Sequence, residues 1–231
     1  MSEVLILGDS FADPHWPDFL VQNIHSKHRV VEFAWPSRVA AQHNVTNFAL
    51  QGTGPDYSLT RLREWITTVS VEQVANTHLI FVCSAPQRLD LSCYKQPNQQ
   101  VHIYEHANGD IRHKSKMFAK QAMDWYFTPD WEHNRDLMYY STATQLASQF
   151  KSVLYWPVQR TQTHNVRVTQ PHNFTMPQKA LVPLSARDDP NYNGGEDNRP
   201  NHFQERNHNI IFEQLNNWLK HGTALDVSNI R

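Results

Sequence analysis

The chain has 231 residues, a formal net charge of −1, 39% hydrophobic and 19% charged residues, and only 7 Gly. That length fits one α/β domain better than two, and a mean hydropathy of −0.63 predicts an ordered core under polar loops rather than a disordered chain. A balanced charge with no basic run excludes the electrostatic footprint of a nucleic-acid or anionic-membrane binder, and no apolar stretch nears the roughly 18 residues that cross a bilayer.

In chain order, Ser2-Glu3 and the short run Val4–Leu7 open the sequence without the charged and long apolar regions of a secretion signal, so synthesis in the cytoplasm is expected. Val4–Leu7 reads as a first strand closed by Gly8-Asp9-Ser10. A helix is expected next, with Ser10 at its N-terminus beside free backbone N–H groups. A plain N-cap role suits Ser10 equally well. A weaker strand is expected at Val30–Phe33, and a stronger one at Val45–Leu50 ending in Gln51-Gly52. Leu59, Leu62, Ile66 and Val69 then fall on one helical face.

Leu79–Cys83, ending in Ser84, and Val153–Val158 complete the strong apolar runs, and Leu137, Tyr140, Ala147 and Phe150 mark a helix between them. Near-continuous runs of this kind are the signature of strands buried on both faces of a parallel sheet. Two stretches break the alternation. Residues 92–131, polar around Asn98–Gly109 and then rich in aromatics (Trp125, Tyr126, Phe127, Trp131), read as an insertion beside the site. Residues 159–201, dense in Gln, Asn, Asp and Pro, read as a long surface loop. Ile211, Leu215, Trp218 and Leu219 mark a final helix. The alternation predicts a three-layer α/β/α sandwich on a mainly parallel five-stranded sheet of flavodoxin-like type. Ser10, Gly52 and Ser84 all fall just beyond strand carboxyl ends, where such sheets bind ligands.

Cys83 and Cys93 lack CxxC spacing, and a reducing compartment is the default. The Asn-x-Thr triplets at Asn44 and Asn173 are read as chance matches. Gly52-Thr53-Gly54-Pro55-Asp56-Tyr57 starts like a dinucleotide fingerprint but has Tyr where the last Gly belongs, so no cofactor is expected. His202 and His208 stand six apart and no HExxH occurs, so no metal is expected either.

Three blocks together are specific: Gly8-Asp9-Ser10, then Asn47-Phe48-Ala49-Leu50-Gln51-Gly52, then Asn201-His202-Phe203-Gln204-Glu205-Arg206-Asn207-His208 leading into the last helix. Their order and positions resemble the GDSL/SGNH hydrolases across nearly the whole chain. That resemblance implies Ser10 as nucleophile, His202 as general base, and the backbone N–H groups of Ser10 and Gly52 as oxyanion donors. The chemistry requires such a pair in any case, because a serine hydroxyl is a weak nucleophile until a base takes its proton, and histidine titrates near neutrality. The form of the His202 block, with its polar stretch upstream, is similar to a branch associated with phages, which implies a virion partner and a virion location.

Two departures from the family pattern stand out. Arg199 occupies the position three before the histidine, where the family has Asp. Asp197 is the nearest upstream carboxylate, Asp188 and Asp189 are weaker candidates, and a dyad oriented by a backbone carbonyl is the alternative. The family's Gly-x-Asn-Asp block is absent after the third strong strand, which reads Cys83-Ser84-Ala85-Pro86-Gln87-Arg88. Ser84, Gln87 or Arg88 would replace the missing oxyanion donor, or the hole would work with two; loss of one such donor costs about 100- to 1,000-fold in turnover. Asp9 and Arg88 are the expected substrate contacts, with an ordinary salt bridge the bland alternative for Arg88.

The reading that follows is a serine esterase working through an acyl-enzyme. Without an apolar lid, and with polar and aromatic loops beside the site, a small acyl ester on a glycan, such as an O-acetylated carbohydrate, is the expected substrate. The rival is a non-catalytic module that keeps the fold, for instance a phage virion or assembly component; the missing Asn and displaced Asp favour it. A metal-dependent hydrolase built on the histidines has little support.

Overall fold

The computed structural model describes residues 1–16, 29–51, 53–85, 88–89, 101–102, 129–159, 171–188 and 202–230. Five parallel strands form the central sheet: β1 (Glu3–Leu7), β4 (Asn44–Asn47), β5 (Thr77–Cys83), β8 (Ser152–Pro157) and β9 (Phe174–Thr175). Two short antiparallel pairs complete the strands among the described residues, β2 (His15–Trp16) with β3 (Arg29–Val30) and β6 (Arg88–Leu89) with β7 (Val101–His102). The sheet order is β4-β1-β5-β8-β9, the doubly wound flavodoxin-like order, whose switch point lies between the first and third strands of the sheet. In this chain those strands are β1 and β5.

Alternate side chains of the strands feed two cores, one on each face. Val4, Ile6, Ile80, Val82, Leu154 and Trp156 pack with Trp35 and Val39 of α1 (Trp35–Gln42), Leu181 and Leu184 of α5 (Leu181–Asp188), and Ile211, Leu215 and Trp218 of α6 (Glu205–His221). Leu5, Leu7, Leu79, Phe81, Val153 and Tyr155 pack with Leu62 and Trp65 of α2 (Pro55–Thr68), Val74 of α3 (Val71–Asn76), and Tyr139, Tyr140 and Ala143 of α4 (Pro129–Leu146). Period-two burial on both faces is what makes β5 buried at all seven positions. Each large apolar side chain so enclosed contributes about 1.5–3 kcal/mol of transfer free energy, so the rigid centre is β1, β5 and β8, and their tips are where a site can be held firmly.

Four expectations change. The run Val30–Phe33 is not a sheet strand: Arg29–Val30 pairs with His15–Trp16 in a ribbon, while Val31, Ala34 and Trp35 turn into the core at the start of α1. The fifth strand is instead Phe174–Thr175, and with α5 it lies inside the stretch 159–201 read as a loop. Three prolines, Pro171, Pro177 and Pro183, mask both elements in the sequence; Pro183 falls in the first turn of α5, where a missing N–H leaves no hydrogen bond unmade. Finally, β4 is an edge strand with alternating exposure rather than a run buried on both faces. Trp131 belongs to α4, and most of the expected insertion 92–131 lies outside the described residues.

Candidate active site

The site begins at Gly8. Its φ of +155° is a value that L side chains rarely adopt, and a Cβ there would lie 2.7 Å from Cβ of Val82. Glycine therefore lets the tip of β1 turn sharply while pressed against β5. Asp9 to Asp13 follow as one turn, with Ala12 N and Asp13 N both donating to Asp9 O at 3.0 and 2.9 Å. No α-helix continues from it among the described residues, so Ser10 stands on a tight turn rather than at the expected helix N-terminus.

Ser10 and His202 meet, although 192 residues separate them: Ser10 Oγ lies 2.7 Å from His202 Nε2, and both residues are half-buried. With the ring proton on Nδ1, Nε2 accepts from the Ser10 hydroxyl. The imidazole lies against the Phe11 ring, centroids 4.3 Å apart. His202 has φ +66°, the one positive value among the described non-glycine residues, and its carbonyl accepts a 2.6 Å hydrogen bond from Ser185 Oγ of α5. Phe203, immediately after it, is fully buried and meets Phe11 edge-on.

Asp9, an expected substrate contact, is enclosed at the base of the turn. It is 0% exposed, its Oδ1 accepts from Phe11 N at 3.1 Å, and its Oδ2 accepts from Ser84 Oγ at 2.8 Å. A fully enclosed carboxylate needs such partners to offset desolvation, and the pair ties the tip of β1 to the tip of β5 across the switch point. The Ser84 hydroxyl proton is thereby engaged, which withdraws that side chain from the oxyanion role expected of it; a backbone N–H is all Ser84 has left to offer. Gln87 lies outside the described residues, and for Arg88 the backbone alone is placed, in β6.

The third tip is joined by Asp13, which belongs to no motif in the sequence, and by Asn47, which opens the second of the three blocks. Asp13, 2% exposed, accepts from His15 N and His15 Nδ1 on Oδ1 and from Gln51 N on Oδ2, at 2.9, 3.0 and 2.9 Å. Asn47 donates from Nδ2 to Ala12 O at 3.0 Å and accepts from Ala49 N at 2.8 Å. Thr53, wholly buried, donates to Leu50 O at 2.6 Å, and Leu50 N reaches Gly8 O at 3.1 Å. The segment on either side of Gly52 is thus fastened to the turn that carries Ser10. Gly52 itself, Asp189 and Asp197 lie outside the described residues; Asp188 ends α5.

A half-buried serine on a braced turn, within hydrogen-bond reach of an imidazole, can perform nucleophilic substitution at an electrophilic carbon. His208, six residues on, plays a structural part instead. It is wholly buried in α6, and its Nδ1 accepts from Trp35 N at 3.2 Å and so caps the first turn of α1. Among the described residues no three His, Cys, Asp or Glu side chains are grouped to hold a metal ion, and no helix is long and apolar enough to cross a membrane. Cys83 is buried beside Tyr155, and burial pushes its thiol above the usual range, which disfavours the thiolate.

No protein-family model and no curated protein sequence matches the chain. Among solved structures, the chain is similar to a member of the lipolytic protein G-D-S-L family from Veillonella parvula DSM 2008, with 12% sequence identity, 92% of this chain and 95% of that chain covered, and a TM-score of 0.44.

Proposed function

We propose that this chain is a serine ester hydrolase that works through a covalent acyl-enzyme, with Ser10 as nucleophile and His202 as its base. The observation that carries this reading is the 2.7 Å approach of Ser10 Oγ to His202 Nε2 at the carboxyl ends of the strands. In the first half-reaction Ser10 Oγ bonds to the acyl carbon as its proton passes to Nε2. The oxyanion that results takes N–H donors from Ser10 and Gly52, and collapse expels the alcohol, which receives the proton from the imidazolium. In the second half-reaction a water gives its proton to Nε2 and attacks the acyl carbon, and Ser10 leaves with that proton while the acid departs.

Asp197 is the proposed orienting carboxylate for the imidazole, and a small acyl ester on a carbohydrate is the proposed substrate. Support for the substrate comes from the polar, aromatic-containing composition of the long connections, which suits a hydroxylated ligand better than a long acyl chain.

A fluorophosphonate probe tests the mechanism directly, because it labels a serine only when the hydroxyl is activated. Labelling of the native protein at Ser10 is expected, with none in Ser10→Ala and a strongly slowed reaction in His202→Ala. Hydrolysis of a short-chain aryl ester should fall by up to about a million-fold in either variant, the loss seen when one member of such a pair is removed. A native protein that resists the probe, or a Ser10→Ala variant that still reacts, would overturn the assignment. A parallel assay on O-acetylated oligosaccharides and long-chain esters checks the substrate class.

A further inference from the structure

Three features of His202 belong together. Its backbone is in the left-handed region at φ +66°, which disfavours a residue with a Cβ. Its carbonyl oxygen accepts from Ser185 Oγ at 2.6 Å, and Ser185 is 5% exposed. Its ring, which lies on Phe11, points Nε2 at Ser10. A side chain in the strained region stays there only if its surroundings hold it. Phe203, the residue that follows, is 0% exposed and anchors the chain beyond His202, and the hydroxyl of Ser185 fixes the peptide plane between the two.

From these we infer that Ser185 is a positioning residue: its hydroxyl locks the left-handed conformation of His202 and so aims the imidazole at Ser10. The inference rests on the esterase reading for its effect on rate, but not for its effect on geometry. α5 is suited to hold such a donor. Leu181 and Leu184 bury into the same core as Phe203 and Ile211, and Val182 N donates to Val158 O at 2.8 Å just past the end of β8. Ser185, one position beyond Leu184, is therefore carried on a helix fixed both to the core and to the sheet. A hydrogen bond from such a donor fixes where its acceptor carbonyl sits. Displacement of a reacting group by about 1 Å costs up to about 100-fold in rate.

Four proteins separate positioning from packing: Ser185→Ala, Ser185→Thr, Ser185→Val and the native chain. Thr and Val have nearly the same shape and differ by the hydroxyl, so any steric cost of the added methyl is shared. Turnover of an aryl ester and the rate constant for fluorophosphonate labelling should fall about 10- to 100-fold in the Ala and Val variants, with KM unchanged, and should recover in Thr. Nitrogen-15 spectra of the histidine rings give the readout that does not depend on activity. The His202 Nε2 signal should lose the shift caused by the Ser10 hydrogen bond in Ala and Val and keep it in Thr. Equal labelling rates in Thr and Val, or a His202 signal unaltered in Ala, would overturn the role of Ser185 even if Ser10 is the nucleophile. A native protein inert to the probe would sink the esterase reading instead, leaving the ring signals to decide the geometry.

Discussion

Two histidines sit at opposite ends of one sheet and have opposite relations to it. His78, near the start of β5, is 4% exposed, stands edge-on to the Trp218 ring and bonds Ser152 through Nδ1 at 2.6 Å, while its Nε2 has no partner among the described residues. Burial, with smaller contributions from Lys151 and His43, pushes its pKa down to about 4. His202, past the carboxyl ends, is half-buried and shares its Nε2 with a hydroxyl. At the amino ends the ring serves as neutral packing material. At the carboxyl ends, hydrogen bonds accepted by Asp9 and Asp13 and donated by Asn47 and Thr53 brace a turn and the segment beside it. What separates the two rings is what is fastened around each of them, and not burial alone.

The largest test of that contrast falls on the orientation of the ring. If Asp197 holds His202 in the tautomer that leaves Nε2 free to accept, Asp197→Asn should lower turnover by up to about 10,000-fold, whereas Asp188→Asn and Asp189→Asn should change it little. Steady-state kinetics on the three variants decides between a triad and a dyad, since small effects at all three would assign the ring to a backbone carbonyl. A smaller effect is expected from Asp13→Asn. One oxygen of the carboxylate serves His15 and the other serves Gln51 N, and an amide cannot accept at both ends. Leaving the Gln51 N–H facing an NH₂ group costs about 1–3 kcal/mol. It would also loosen the segment that carries Gly52 and lower kcat by roughly 10- to 100-fold. An unchanged kcat beside a lowered melting temperature would make Asp13 a stabiliser of the fold alone.

The same contrast explains which parts of the molecule are legible in the sequence. β1, β5 and β8 stand out because strands buried on both faces exclude polar residues, and order along the chain selects Ser10 and His202 from fourteen histidines and many serines. β9 is invisible: two residues, Phe174 and Thr175, carry no period. Val30–Phe33 looks like a strand because local composition does not reveal that Val31 and Ala34 enter the core from a turn. Asp9 reads as a substrate contact because its partner, Ser84, is 75 residues away, and Ser185 is hidden for a related reason, its acceptor being a backbone carbonyl that no residue type signals. Long-range hydrogen bonds to the main chain leave no mark in the sequence.

The smallest expected effect concerns His78 and the amino end of the sheet. Its folded-state pKa of about 4 lies below the ordinary value near 6.5. Between those two values the unfolded chain holds a proton on this ring that the folded chain does not. Its contribution to stability is therefore complete above pH 6.5, declines as pH falls, and is lost by about pH 4, below which both states are protonated and the contribution no longer changes. Lys151 and His43 are the neighbouring side chains that contribute to the shift, and neither offers a negative charge that would welcome the proton. His78→Phe keeps an aromatic ring against Trp218 and removes the titration. Thermal unfolding of both proteins at pH 7 and pH 4.5 should show the native protein losing more stability than the variant, by about 2 kcal/mol, or roughly 4–8 °C for a domain of this size. Loss of the Ser152 hydrogen bond lowers the variant at both pH values alike, so the difference between the two drops isolates the ring. Identical drops would mean that water reaches His78 Nε2 and that the two ends of the sheet treat their histidines in the same way.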